Sequence, residues 1–258
     1  MSQWKALIGR ITLFPGPLPS GPLPSALELY KKLWGGEPDN FQTSANALMP
    51  TIAQGKRAGM MVGCAVHPVR IDLSLNPGPA SSEGGGTSFV LIEDTRQLHA
   101  ELIRLIEFID GEVGLYSVCR VGVYLHFLQL SVNIEQANKL LIAVIPDLYR
   151  ARITDEEDFI FQINRPRASH AVEGVRLNHI TKWSMDRFQV LNLAVVADSR
   201  SILSPERKEF IAASVTFDSN NVPTSASLNR NEQSSLLREC LIASEQMQRE
   251  IGVKVEGF

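Results

Sequence analysis

The chain has 258 residues, with Lys plus Arg at 25 against Asp plus Glu at 28, a formal net charge of −3, and 44% hydrophobic residues. That balance excludes a disordered charged tail, a collagen-like chain and a disulfide-stapled miniprotein, and it leaves room for one large or two small buried cores. It also lacks the strongly basic stretch of a dedicated nucleic-acid binder, so nucleic acid is not expected as a partner.

In chain order, residues 5–14 form the first apolar run, with β-branched Ile8, Ile11 and Thr12, and read as a strand. A proline-rich connector follows, a tandem repeat reading GPLPS at Gly16–Ser20 and Gly21–Ser25, extended because proline fixes φ and removes a donor. Ser25 followed three residues later by Glu28 starts a helix over 25–34, with Leu27, Tyr30 and Trp34 on one face. Short strands are expected across 40–75. Gln54-Gly55-Lys56 is expected as a hairpin turn, and Met60–Val66 as a central strand. Val69, Ile71, Leu73 and Leu75 alternate with Arg70, Asp72 and Ser74, the pattern of a strand with one wet face. Residues 76–88, NPGPASSEGGGTS, read as a loop.

Asp94 and Gln97 open a helix over 94–109 with Leu98, Leu102, Leu105, Ile106 and Ile109 on one stripe. A strand over 115–130 and a helix over 133–147, started by Asn133 and Gln136, follow. Several strands are expected across 158–218, among them Phe159-Phe161-Ile163, Val190–Val196 and Ala213-Val215-Phe217. Asn229 and Glu232 start the last helix, 229–250. The order predicts an α+β fold of two similar β-α-β(several)-α halves, 1–113 and 114–258, with antiparallel sheets carrying helices on one face. The halves are either separate domains or one continuous sheet.

Candidate chemistry is sparse. Cys64 and His67 have metal-ligand spacing, but Cys119 and Cys240 have no His or Cys nearby to complete a zinc set. No metal site and no cofactor are therefore expected. His170 and His179 flank Glu173, and nine residues along a strand put them on opposite faces, as solvated sheet-face histidines. The acidic run Asp155–Asp158 reads as a solvated turn whose charges pair with Arg150, Arg152, Arg165 and Arg167. The glycines of residues 83–88 lack the Lys-Ser/Thr of a P-loop. No GxGxxG, GxSxG, HExxH or CxxC motif occurs, which removes the commonest nucleotide, hydrolase, metalloprotease and redox signatures. No catalytic residue is assigned. Arg120 and Arg176, on strands expected to be neighbours, with Phe127 and Phe161, are the candidate ligand-binding residues.

Three widely spaced cysteines do not form a disulfide framework, and the N-terminus lacks the features of a signal peptide. No run of about 18 apolar residues offers a membrane span. The expected location is the cytoplasm.

The strand RVGVY at Arg120–Tyr124 resembles an R-[IV]-G-[VL] strand midway through a family of uncharacterised bacterial proteins. Leu191–Asp198, the strand ending at Asp218 and the closing helix Ser234–Glu250 are similar to that family's second half, although Leu237-Arg238-Glu239 stands where the family's last helix starts with His-Glu or Leu-His. The resemblance implies no established activity. The order β-α-β(4)-α is also similar to the TBP-like fold class of DNA saddles and helix-grip lipid carriers, an analogy of fold alone. The leading expectation is a non-catalytic binding or scaffold protein acting through a protein partner or a homo-oligomer. One alternative is a helix-grip carrier of a small apolar ligand. Another is a hydrolase built from Asp72, Glu173 or Asp218 with His170 or His179.

Overall fold

The computed structural model describes residues 4–16, 23–43, 46, 49–78, 89–113, 117–147, 160–192 and 206–253. Ten strands form one antiparallel sheet: β1 Lys5–Pro15, β2 Asn40–Gln42, β3 Thr51–Arg57, β4 Met60–His67, β5 Arg70–Pro77, β6 Val118–Ser131, β7 Ile160–Asn164, β8 Arg167–Ala168, β9 Arg176–Asn192 and β10 Glu206–Asn221. The order across it is β2-β3-β4-β5-β1-β6-β10-β9-β7, with β8 on β9. The sheet is therefore continuous, and β1 and β6 meet at its centre.

Four helices pack on it: α1 Ala26–Trp34, α2 Thr95–Phe108, α3 Ile134–Val144 and α4 Arg230–Glu250. Each starts where the side-chain caps predict. Ser25 accepts from the Glu28 N–H while Glu28 accepts from the Ser25 N–H, and Asn229 and Glu232 do the same for α4. Asp94 accepts from the N–H groups of Arg96 and Gln97. Gln136 reaches one residue further back than a capping box requires, accepting from the Val132 N–H at 2.9 Å. The helix over 133–147 is shorter than expected, stopping ahead of Ile145-Pro146, because proline disfavours helical backbone in the residue before it. α2 runs on into a π-helical turn, Ile109–Val113.

The buried residues of all four helices join one apolar cluster with the inward residues of the strands, including Ile11, Leu73, Val123, Phe127 and Phe217. At Gly9 an added Cβ would stand 2.6 Å from Leu98 Cδ1, so the missing side chain lets α2 lie close on β1.

Two expectations are corrected. Gln54-Gly55-Lys56 lies inside β3, and the chain turns instead at Ala58-Gly59, with φ of 48° and 77°. Two left-handed residues match the twist of a two-residue hairpin. The expected strand Val190–Val196 begins earlier than predicted: residues 190–192 end β9, which starts at Arg176 and whose polar alternation hides it from a search for apolar runs, and residues 193–196 lie outside the described residues. Among the described residues, Arg165 pairs with Glu250 at 2.9 Å, and Arg167 lies 3.5 Å from Glu239. The acidic run itself, Arg150, Arg152, Phe159, residues 17–22 of the proline-rich repeat and the glycines of residues 83–86 lie outside the described residues.

Candidate functional site

The sheet's period of two puts alternate residues on opposite faces. One face meets the helices. The other, the open face, carries no described helix. Register aligns Ser74, Arg10, Tyr124, Asp218 and Ile180 in one row across five strands of it. A small apolar cluster closes one end, where Phe89 meets Phe188 and Phe210 beside Leu91, Leu128 and Ala212.

Asp72 is the hub of the β1–β4–β5 side. Its side chain is 9% exposed, and it accepts a 2.8 Å hydrogen bond from Thr12 Oγ1. Arg70 Nε lies 2.8 Å from Oδ2, His67 Nε2 lies 3.5 Å from the same oxygen, and Arg10 Nε lies 3.9 Å from Oδ1. Neither arginine Nε–H points at an oxygen, so both act mainly as charges. Two guanidiniums around one carboxylate leave the cluster net positive. Arg10 also lies over the Tyr124 ring, 4.9 Å from its centroid. Burial, together with the charges of Asp218 and Asp186, raises the Tyr124 pKa, so its hydroxyl keeps its proton as a donor.

The next cluster has the residue types of a hydrolytic triad and the wrong geometry for one. His126 Nε2 is 2.6 Å from Ser214 Oγ and 3.6 Å from Asp186 Oδ2. A triad needs the carboxylate on the nitrogen remote from the hydroxyl, to orient a ring that takes the serine proton. Here both partners share Nε2, and Ser214 is fully buried. Burial alone would raise the Asp186 pKa, but hydrogen bonds from His126, Ser214 and Ser184 outweigh it and hold the carboxyl below its ordinary range. The arrangement fixes three strands to one another and leaves no hydroxyl open to a substrate.

At the far end from the aromatic cluster, amides form a ladder. Asn164 donates to Asn178 at 3.2 Å, Asn178 to Asn220 at 3.4 Å, and Asn220 to Asp218 at 2.8 Å. Two arginines flank this ladder. Arg120 stacks on Phe14 at 4.9 Å, and Arg176 stands exposed at the start of β9, where its carbonyl accepts from the Val222 N–H. Neither has a carboxylate partner among the described residues, and Arg120 Nε is closed off from water with no acceptor.

The four residues expected to bind a ligand therefore separate. Arg120 and Arg176 share the open face, on strands with β10 between them rather than adjacent. Phe127 is fully buried on the helix side, edge-on to Phe217, and Phe161 packs on Trp183. Leu237, Cys240 and Leu241 of α4 fill the same core cluster. The pairings proposed for a hydrolase are split as well. Asp72 and Asp218 face the open side, whereas His179 is 4% exposed on the helix side. Exposed His170 only places its backbone N–H on Glu239.

His179 is thus a buried histidine, not a solvated one. Arg167 donates to its Nε2 at 2.8 Å, so Nδ1 bears the proton and donates to Ser219 Oγ at 3.1 Å. Ser219 continues to Ser244 on α4, which donates to the Cys240 carbonyl. Burial, and then the Arg167 charge, lower the His179 pKa to about 4. Cys64 and His67 lie on opposite faces of β4, as a three-residue spacing on a strand dictates, and burial raises the Cys64 thiol to about 12. Among the described residues no group of three or more His, Cys, Asp or Glu side chains is arranged to hold a metal. No helix among them is long and apolar enough to cross a membrane.

Sequence reasoning missed the Asp72 hub, Tyr124 and the His126–Asp186 contact. The alternation Arg70-Asp72-Ser74 marks a wet face, but the partners come from strands far off in the sequence. No family model, curated protein or solved structure matches this chain.

Proposed function

We propose that the protein is a non-catalytic binding or scaffold module that meets a protein partner with the open face of its sheet. One observation carries this reading. The helices and the apolar core occupy one side, and the other side presents a layer of polar and charged groups across the central strands. Arg10, Arg70, Arg176 and Lys182 are partly or wholly exposed there, and the buried polar groups between them, such as Asp72, Ser214 and Thr216, are pre-ordered by their own ion pairs and hydrogen bonds, which lowers the entropy lost on binding. The enzyme alternatives lack a comparable support, because among the described residues the groups with reactive chemistry are tied to one another or divided by the sheet. The apolar-carrier alternative needs space under α4 that side chains fill.

The strand order supports treating the halves as variants of one unit. Outward from the centre it runs β1-β5-β4-β3-β2 on one side and β6-β10-β9-β7 on the other. That order also favours the TBP-like analogy as architecture, which assigns no activity. Three unpaired cysteines, two of them buried, fit a reducing compartment such as the cytoplasm.

The test compares the wild-type chain with Arg10→Glu/Arg70→Glu on the open face and with Arg96→Glu, an exposed α2 control. Self-association by sedimentation and co-purifying proteins by quantitative mass spectrometry are read for all three. Self-association or a co-purifying protein that disappears only in the open-face variant supports the proposal. A strict monomer with identical co-purifying proteins in all three overturns it.

A further inference from the structure

Building on that reading, we infer that the open face takes an acidic, extended segment of a partner protein, anchored by Arg120 and Arg176. Charge complementarity is the first argument. The molecule carries a net charge of −3, yet on the open face Arg10, Arg70, Arg120, Arg176 and Lys182 outnumber Asp72, Asp186 and Asp218. Asp72 already engages Arg10 and Arg70, so among the described residues the positive charge without a carboxylate partner gathers at the Arg120–Arg176 end.

The second argument is an orphan donor. Arg120 Nε is shut off from water by the Phe14 ring and its neighbours and donates to nothing. A buried donor left unsatisfied is costly, and because Arg120 as a whole is only partly buried, an incoming carboxylate would meet its other guanidinium nitrogens with a charge-assisted bond and offset that cost. Arg176 stands two strands away, about 10 Å by strand spacing, within the span of one short extended segment. Between them, Val222 is 43% exposed and the Asn178–Asn220 ladder presents amide groups. A carboxylate-bearing chain laid across these strands would find a cation at each end and amide groups in the middle.

A phosphate polymer is the rival occupant, and three features disfavour it. Tyr124 and Phe14 are each covered by an arginine, which removes the bare rings on which single-stranded bases stack. Phe89, Phe188 and Phe210 are packed against one another. Asp186 and Asp218 would repel an unbroken run of phosphates, whereas a protein segment can place neutral residues over them.

Fluorescence anisotropy on the full chain tests this with three labelled probes: a short peptide alternating Glu and Thr, the same peptide with Lys for Glu, and a short oligothymidine strand. The Glu peptide is expected to bind saturably, more weakly as salt rises, and at least about tenfold more weakly to Arg120→Ala/Arg176→Ala. Arg176→Glu, at an exposed strand end where substitution is expected to leave folding intact, reproduces the loss if the double variant is unstable. Failure of the Glu peptide to bind, binding unchanged by these variants, or tighter binding of oligothymidine overturns the inference. The sedimentation and co-purification comparison above judges the broader protein-partner reading separately, because it uses no acidic probe.

Discussion

Two faces of one sheet are built from neighbouring residues under opposite rules. On β6, Val123, Leu125 and Phe127 are buried against the helices, while Tyr124 and His126 between them point the other way into polar company. On β10, Val215 and Phe217 alternate with Thr216 and Asp218 in the same manner. The helix side carries the apolar burial, which dominates folding. The open side holds its shape by ion pairs and hydrogen bonds that nearly cancel against hydration. The difference teaches where the molecule can change. A face that contributes little to stability is free to be specified by a partner.

The sharpest way to break this comparison is to truncate matched residues on the two faces. Phe217→Ala and Leu102→Ala, both at fully buried core positions, are expected to cost about 3–5 kcal/mol in urea unfolding followed by circular dichroism. Tyr124→Ala on the open side should cost about half of that or less, since it gives up a partly exposed ring and one cation–π contact. Equal losses at Tyr124 and Phe217 would mean that the open face is a second core.

The next effect concerns a large polar inclusion on the helix side. His179 is folded in its neutral form with a pKa lowered to about 4, against about 6.5 for a free histidine. Between those values the unfolded chain binds the extra proton, so stability rises with pH across this window. The contribution is fully present above pH 6.5 and is lost as pH falls toward 4, by about 3 kcal/mol. Below that, Asp186 and Glu239, whose pKa values are lowered in the fold, add their own loss as they protonate. Urea midpoints at several pH values should show His179→Gln flattening the slope between pH 6.5 and 4.5 while keeping the steeper fall below 4. A wild-type curve flat from pH 7 to 4.5 would contradict the buried neutral assignment.

Much of this fold is legible in the sequence, and the reasons are local. Ser25, Asp94, Asn133 and Asn229 each satisfy an exposed helix donor within three residues, so helix starts can be read without knowing the rest of the chain. The alternation over 69–75 reveals a one-sided strand for the same reason. The turn at Ala58-Gly59 escapes because Ala58 is not a residue that advertises a positive φ. The long strand β9 escapes because its helix-side residues include His179 and Thr181, which are made acceptable only by Ser219 and Met247 from distant elements. The candidate site is less legible still. Arg120 and Arg176 are visible as cations, but their lack of a carboxylate partner among the described residues is a property of register. Asp72 becomes a hub only when β1 and β4 fall on either side of β5.

A smaller effect measures the worth of the open-face ion cluster. Asp72→Asn keeps an acceptor for Thr12 and removes the charge between Arg10 and Arg70. Both guanidiniums are more than a third exposed, so water limits the repulsion, and a loss of about 1–2 kcal/mol is expected. A double-mutant cycle with Arg70→Ala should return a coupling below that value. Asn229→Ala, which removes the cap of α4, is expected to cost about 1 kcal/mol, detectable as a shift in the urea midpoint with an unchanged slope.

The smallest stability effect is the most informative about the open face. Arg176 is exposed, stands at a strand end and has no carboxylate partner among the described residues. Its truncation removes no buried area, and surface changes of this kind stay within about 0.5 kcal/mol. Arg176→Ala should therefore unfold at the wild-type urea concentration. If Arg176 were held in the fold by its own chain, the midpoint would fall; if it is kept for a partner, only binding of the Glu-bearing peptide weakens. Loss of binding at constant stability separates a side chain serving the surface from one serving the core, and a fall in stability beyond about 1 kcal/mol would assign Arg176 to the structural side of the comparison.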